Sequence, residues 1–129
     1  MAELEVAVVS AERAVWQGHA KSVVAKTPDG EMGVLPGHAP VLALLLEAPL
    51  RIETAEGTKL LVAVHGGFFS VDSDRVNVIA ETAELAEEID VERAKAALAR
   101  AQQQTPEGEP ESRAARRAET RLTVAMGGR

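Results

Sequence analysis

Cysteine is absent from the 129 residues. Its absence excludes a disulfide framework, thiolate-bound zinc, iron–sulfur clusters and a thiol nucleophile, and it fits a reducing compartment. Aromatic residues make up only 2% of the chain, with one Trp, two Phe and no Tyr, against a hydrophobic share of 46%. The core must therefore be built from Val, Leu, Ile and Ala. Basic charge is also short: 14 Lys+Arg face 20 Asp+Glu, for a formal net charge of −6. So acidic a chain is a poor general binder of nucleic acid, whose phosphates need a basic surface. Long apolar runs are missing too. The longest is Val41 to Leu46, far short of the roughly 20 residues that span a bilayer as a helix. The N-terminus, MAELEVAVVS, carries acid where a signal peptide has its basic region, so neither a secretory leader nor a transit peptide is expected. A soluble protein is expected, which leaves open a place on a membrane complex.

What is present changes character along the chain. Up to Ala80, glycine, proline and β-branched residues are frequent; from Ala83 onward Ala, Glu, Arg and Gln dominate. Leu4, Val6 and Val8 alternate with Glu3, Glu5 and Ala7, the period of a strand with one buried face. Ser22 to Thr27 is a second strand candidate, ended by the turn signal Pro28-Asp29-Gly30. The run Val41 to Leu46 predicts a strand buried on both faces. Leu50 to Thr54 and Thr58 to Val64 flank Ala55-Glu56-Gly57 as one hairpin, and Gly67 to Val71 and Arg75 to Ala80 flank Asp72-Ser73-Asp74 as another. Short strands at this spacing predict an all-β sandwich or flattened barrel with a modest core.

The second part predicts helices. Asp90 is placed as an N-cap, followed by an apolar stripe of Val91, Ala94, Leu98 and Ala101. The run from Thr105 to Pro110 breaks that helix, and a second runs from about Glu111 to Val124 with Ala114, Ala118, Leu122 and Ala125 on one side. The pair makes an antiparallel hairpin. Alanine stripes bury little area, at about 25 cal/mol per Å², so the seam is weak and opens at low cost. The expected division is therefore a β-sandwich over 1–84 and a helical hairpin over 85–129. Residues 1–80 carry a net charge of −4, 81–112 carry −6 and 113–129 carry +4. Arg113, Arg117 and Arg121 lie four apart, one stripe on the second helix. That stripe is either a solvated face with cations favourable near a helix C-terminus, or a docking strip for an acidic partner or a phosphate.

Catalytic patterns are missing. His19, His38 and His65 stand at no ligand spacing, so no metal site is expected. Ser10, Ser22, Ser70 and Ser73 lack the GxSxG setting of a hydrolase nucleophile, and no P-loop is present. His65-Gly66-Gly67 reads as a hairpin or bulge needing positive φ. Glu84, Glu87, Glu88 and Asp90 read as the acidic start of a helix. No catalytic residue is expected.

Four stretches together resemble the epsilon subunits of F-type ATP synthases: GEMGVLPGHAP at Gly30 to Pro40, VHGGFFSV at Val64 to Val71, VNVIAETAELAEEIDVERA at Val76 to Ala94, and RLTVA at Arg121 to Ala125. They stand in the family's order and spacing and extend over the whole chain. The resemblance implies the same sandwich and hairpin. It implies a non-catalytic subunit of the central rotor stalk of a proton-translocating ATP synthase, at the cytoplasmic face of the bacterial membrane, coupling proton flow to ATP synthesis. Its implied partners are the gamma subunit and the c-ring. The loop matching Gly30 to Pro40 lies at the family's rotor interface, so Glu31 and His38 are interface candidates; His38 has the alternative of stabilising a turn. Abundant alanine, with four lysines against ten arginines, points to a GC-rich bacterial source.

In many bacterial relatives the hairpin lies folded on the sandwich or extends into the catalytic alpha/beta hexamer and blocks ATP hydrolysis. On that basis Arg113, Arg116, Arg117 and Arg121 are candidates to dock on an acidic segment. Some relatives bind ATP with a motif I/L-D-x-x-R-A, matched here by Ile89-Asp90-Val91-Glu92-Arg93-Ala94. The implied nucleotide contacts are Glu84, Asp90, Arg93, Arg117 and Arg121, for a regulatory ATP and not a required cofactor. Guanidiniums suit phosphates because their planar donor fork matches them; Asp90 would serve adenine or ribose, or cap its helix. The proline-rich linker Pro106 to Pro110 and the short second helix depart from the family pattern and bear on how far the hairpin extends. The alternative from another class is a free small-molecule-binding β domain with a helical tail, which would need a concave polar pocket. A cupin-type enzyme would need the His-x-His that is missing.

Overall fold

The computed structural model describes residues 2–127. Nine strands form one sheet: β1 (Leu4–Ser10), β2 (Ala14–Thr27), β3 (Gly30–Val34), β4 (Val41–Leu44), β5 (Ala48–Thr54), β6 (Lys59–Val64), β7 (Gly67–Asp72), β8 (Arg75–Ala80) and β9 (Ala83–Leu85). A 3₁₀ turn (Ala86–Glu88) leads into helices α1 (Val91–Gln104) and α2 (Arg113–Ala125). The strand order is β4-β7-β8-β1-β2-β5-β6-β9, with β3 paired to β2.

The long strand β2 turns one sheet into two layers. Its first half pairs antiparallel with β1, from Leu4↔Ala20 to Val9↔Ala14. Its second half pairs with β3 on one side and β5 on the other. The register breaks between Ala20 and Ser22, where the strand passes from one layer to the other; bulges of this kind bend a strand at a sandwich corner. Sequence patterning finds only Ser22 to Thr27, because Gln17, Gly18, His19 and Lys21 interrupt the first half. It also misses β3, where Gly30 and Gly33 lower strand propensity.

The core between the layers is aliphatic, as the composition requires. Leu4, Val6, Val8, Val23, Val34, Leu50, Ile52, Val62, Val76 and Val78 are all buried, and Phe69 is the largest fully buried side chain. Each such side chain contributes about 1.5–3 kcal/mol of transfer free energy. The Val41 to Leu46 run behaves differently from expectation. It forms the edge strand β4, bonded to β7 alone, with Leu42 70% and Leu44 64% exposed. Among the described residues nothing covers one face of the strand, so the apolar run does not mark two-sided burial.

Both expected hairpins form. The β7–β8 turn places Ser73 at φ 51 and Asp74 at φ 63, a left-handed pair that follows the right-handed twist of a tight hairpin. Asp74 also accepts the Gly37 N–H at 2.7 Å through Oδ1, which ties the GVLPGHAP loop to the sheet. Asp90 caps α1 by accepting from the Arg93 N–H at 3.1 Å, and Ser112 caps α2 by accepting from the Ala115 N–H at 3.1 Å. Residue α2 positions differ from the expected stripe. Ala114 is exposed, and the buried positions are Ala115, Ala118, Thr120 and Val124. The reason is that α2 has two partners: it lies against β5 and β6 and also against α1. A single-stripe reading assumes one.

Among the described glycines, Gly67 has the least room for a side chain. It holds φ +117, and a Cβ there would stand 2.2 Å from the Ile79 carbonyl oxygen. Gly67→Ala is predicted to destabilise the sheet by about 3 kcal/mol or more. Gly33→Ala, at an open position, is predicted to cost under about 1 kcal/mol. Urea unfolding of both variants checks the contrast.

Candidate functional site

The charged residues of α2 do not face solvent as a free strip. Three sandwich carboxylates meet them. Arg121 Nε donates to Glu84 Oε1 at 2.7 Å. Arg113 donates through Nε to Glu47 Oε1 and through Nη2 to Glu81 Oε2. Arg116 Nε and Arg117 Nε stand 3.6 and 3.9 Å from the Glu47 carboxylate. Thus all four arginines named as candidates for an acidic partner, Arg113, Arg116, Arg117 and Arg121, are turned inward onto this chain's own acids.

The inner end of this seam is built around His65. That residue is 2% exposed, and its Nε2 lies 3.0 Å from Glu84 Oε1. With Nε2 as the donor, Glu84 accepts from both His65 and Arg121 on one oxygen. The Glu84 carboxyl is lowered from 4.5 to about 2, first by the His65 hydrogen bond and then by Arg121, against a burial that raises it. Sequence patterning treats His65 as an isolated histidine; its partner lies across the β6–β9 pair, where Ala63 stands opposite Glu84. Apolar support is small: Ala63, Ile89 and Val124 are buried together, flanked by Leu61, Ala86 and Ala125. Arg13, in the β1–β2 turn, clamps the junction by donating to Glu88 Oε1 at 2.7 Å, which holds the Glu88 carboxyl below its usual range.

Beside the seam lies a cleft of about 380 Å³ lined by Glu84, Glu88, Asp90, Arg93, Ala94, Ala97, Arg100 and Arg121. It gathers four of the five expected nucleotide contacts. Arg117 is not among its lining and sits toward Glu47. Arg100, about two turns along the same face of α1 from Arg93, joins the cleft unexpectedly; their spacing is the signal the sequence carries. Three guanidiniums and three carboxylates therefore share this space.

Glu31 and His38 occupy separate positions. Glu31 is on β3, 63% exposed in its side chain, and bonded to Arg51 Nη2 at 3.1 Å. His38 is in the loop after β3, half-buried, with its N–H on the Leu35 carbonyl and its Nδ1 2.6 Å from the Ala39 carbonyl. Gly37 at φ +88 completes the turn. A further surface escapes the patterning. Leu44 stands opposite Phe68, and Phe68 opposite Ile79, so an apolar row crosses β4, β7 and β8 on one face. Leu44, Phe68 and Ile79 are 64, 41 and 42% exposed, and Leu42 continues the row. Exposed apolar groups assembled in this way mark an interaction face. Among the described residues no cluster suits a metal ion, and no helix is long and apolar enough to cross a membrane.

The depressed Glu84 carboxyl makes the seam acid-sensitive. A group that binds its proton more weakly when folded contributes fully above about pH 4.5 and loses that contribution as pH falls toward 2. Glu84→Gln is predicted to be less stable at pH 7 by about 1–3 kcal/mol and to lose less on acidification than the unmodified chain. Denaturant melts from pH 7 to 2 check both.

A family model described as the ATP synthase Delta/Epsilon chain β-sandwich domain matches residues 3–86. The chain is 49% identical over 121 residues to the ATP synthase epsilon chain of Streptomyces griseus, covering 94% of each. It is 54% identical over 100 residues to that of Rhodococcus jostii, covering 77% of this chain and 82% of the relative. Among solved structures, it is similar to a chain in the Euglena gracilis mitochondrial ATP synthase, from the OSCP/F1/c-ring assembly in rotational state 1. That likeness has a TM-score of 0.74 at 25% identity and covers 98% of this chain and 79% of that one. The sandwich matched by the family model and the relatives matched over nearly the full length agree: the chain belongs to the ATP synthase epsilon-chain family, a non-catalytic subunit of that complex.

Proposed function

We propose that this subunit works in the central rotor stalk, with its β domain (1–84) seated on the gamma subunit and the c-ring, and its hairpin (85–129) acting as a brake on ATP hydrolysis. The observation that carries the brake is the inward-facing arginine row. A helix whose charges are already matched by weak, partly exposed ion pairs over a small apolar cluster is poised to exchange them for equivalent acids elsewhere. Extended toward the alpha/beta hexamer, Arg113, Arg116, Arg117 and Arg121 would find an acidic segment there.

The rotor end of the reading rests on the apolar row of Leu42, Leu44, Phe68 and Ile79, an area that costs free energy in water unless a partner covers it. Glu31 and His38 would add polar contacts, as the resemblance implies. Within the assembled synthase the subunit sits peripherally, at the cytoplasmic face of the bacterial membrane, and contributes to coupling proton flow to ATP synthesis. A free small-molecule-binding β domain fits less well, since family membership already assigns the chain to a complex.

A regulatory ATP in the cleft between Glu84 and the helices is favoured by one observation: Arg93, Arg100 and Arg121 converge there with Asp90. Phosphates would compete with Glu84 for Arg121, so nucleotide binding and the seam would be linked. Arg93→Ala is predicted to weaken ATP binding to the isolated chain about tenfold or more, since it removes one charge-assisted contact. Calorimetric titration with ATP checks this, with ADP as the comparison.

For the brake, the assembled catalytic complex carrying this chain is predicted to hydrolyse ATP at least about fivefold faster when the chain is truncated after Glu88. Equal rates with both forms bound would limit the role to coupling through the β domain.

A further inference from the structure

The three carboxylates of the cleft are not held alike. Asp90 accepts from the Arg93 backbone N–H at 3.1 Å. Glu88 accepts from the Leu85 backbone N–H at 2.8 Å and from Arg13 Nη2 at 2.7 Å. Among the described residues, Glu84 accepts from side chains alone: His65 Nε2 at 3.0 Å and Arg121 Nε at 2.7 Å, both on Oε1. Its side chain is 24% exposed, so water replaces a lost donor only in part.

The two donors come from different parts of the molecule. Arg121 belongs to α2 and lines the cleft. His65 directly follows β6 and stands outside the lining; strand alternation puts it on the hairpin-facing side with Leu61 and Ala63. Its backbone N–H donates to the Thr82 carbonyl at 2.9 Å. The ladder from Val62↔Leu85 to Val64↔Ala83 fixes its strand against that of Glu84. His65 Nδ1 is buried with no hydrogen-bond partner among the described residues, so the tie of the ring is to Glu84 through Nε2. That bond is also the largest influence keeping the Glu84 carboxyl charged, ahead of Arg121. Arg13, another cation that feels Glu84, is committed to Glu88 and to the Ala83 carbonyl.

We propose that His65 is a positioning residue for phosphate binding in this cleft: it keeps Glu84 hydrogen-bonded and in place when a phosphate draws Arg121 away. This rests on the nucleotide reading above and adds to it a residue outside the cleft's lining. A phosphate takes Arg121 at a cost set by what becomes of Glu84. Without the imidazole, the exchange leaves a half-buried carboxylate with no donor, and Arg121 stays with it. With the imidazole, Oε1 keeps a donor anchored in the sheet. Arg121 is then free to turn with Arg93 and Arg100 onto the phosphates.

Calorimetric titration of the full chain with ATP and with inorganic tripolyphosphate tests this. His65→Leu is expected to weaken both about tenfold, the worth of one hydrogen bond to a charged group. His65→Gln, whose amide N–H reaches the place of Nε2, is expected to bring binding back to within about threefold of the unmodified chain. In a Glu84→Gln background, His65→Leu is expected to leave tripolyphosphate binding unchanged, because no carboxylate remains to be held. An equal loss in both backgrounds marks general damage and overturns the proposal. The unmodified chain supplies a measurement that no folding defect can disturb. In nitrogen-edited NMR, the Arg121 Nε–H signal is expected to shift on addition of ATP while the His65 Nε2–H signal persists. Loss of the His65 signal on binding overturns the proposal. An unmodified chain that binds neither ATP nor tripolyphosphate overturns the nucleotide reading instead. Equal binding by the unmodified chain and by His65→Leu overturns the role of His65 alone.

Discussion

The placement of the helical hairpin depends on one interaction repeated along one helix: a carboxylate on the sandwich accepting from an arginine on α2. Glu47, Glu81 and Glu84 receive Arg113, Arg116, Arg117 and Arg121 across the same face. Beneath them the apolar contribution is modest, with Ala63, Ile89 and Val124 at its centre. Alanine at Ala115 and Ala118 lets α2 approach closely but removes little area from water. Charge therefore sets the register of the hairpin on the sheet, while the aliphatic core between the layers sets the stability of the sheet itself. The two parts of the molecule are held by different physics, and they respond to different perturbations.

Much of this was legible in the residues. The period of Leu4, Val6 and Val8 announces β1, and the Asp72-Ser73-Asp74 signal announces a turn that forms with two left-handed residues. Asp90 caps α1 as its position before an apolar stripe predicts. What patterning could not supply was pairing at long range. His65 and Glu84 carry no shared motif, yet the β6–β9 ladder brings them to 3.0 Å. The Arg113, Arg117 and Arg121 stripe shows a cationic face but not the acids that meet it. Val41 to Leu46 shows apolar content but not which side is covered, and the difference separates a core strand from an interaction edge. The stripe of α2 was misplaced because a helix packed on two partners buries two faces.

These features fit a rotor subunit whose ends have separate tasks. The row across β4, β7 and β8 is an exposed apolar face of the kind that gains from burial against a partner. The opposite attachment, through α2, is polar and exchangeable. Arg13 and Glu88 keep the junction on the sandwich, so a hairpin that leaves the sheet would turn at Ile89 and Asp90. The cleft lined by Arg93, Arg100 and Arg121 lies against that turn, where a bound anion would bear directly on whether Arg121 remains with Glu84.

Charge, more than apolar burial, holds α2 on the sheet. Hydrogen exchange of the full chain as a function of sodium chloride tests it most directly, because salt screens partly exposed ion pairs and strengthens apolar contacts little if at all. Protection of α2 amides is expected to fall steadily between low salt and about 1 M, where the screening length shrinks to about 3 Å, while protection of β1, β2 and β8 stays constant. Protection in α2 that is independent of salt, or that rises with it, would rule out a hold by charge and place the hairpin's hold in its alanine seam.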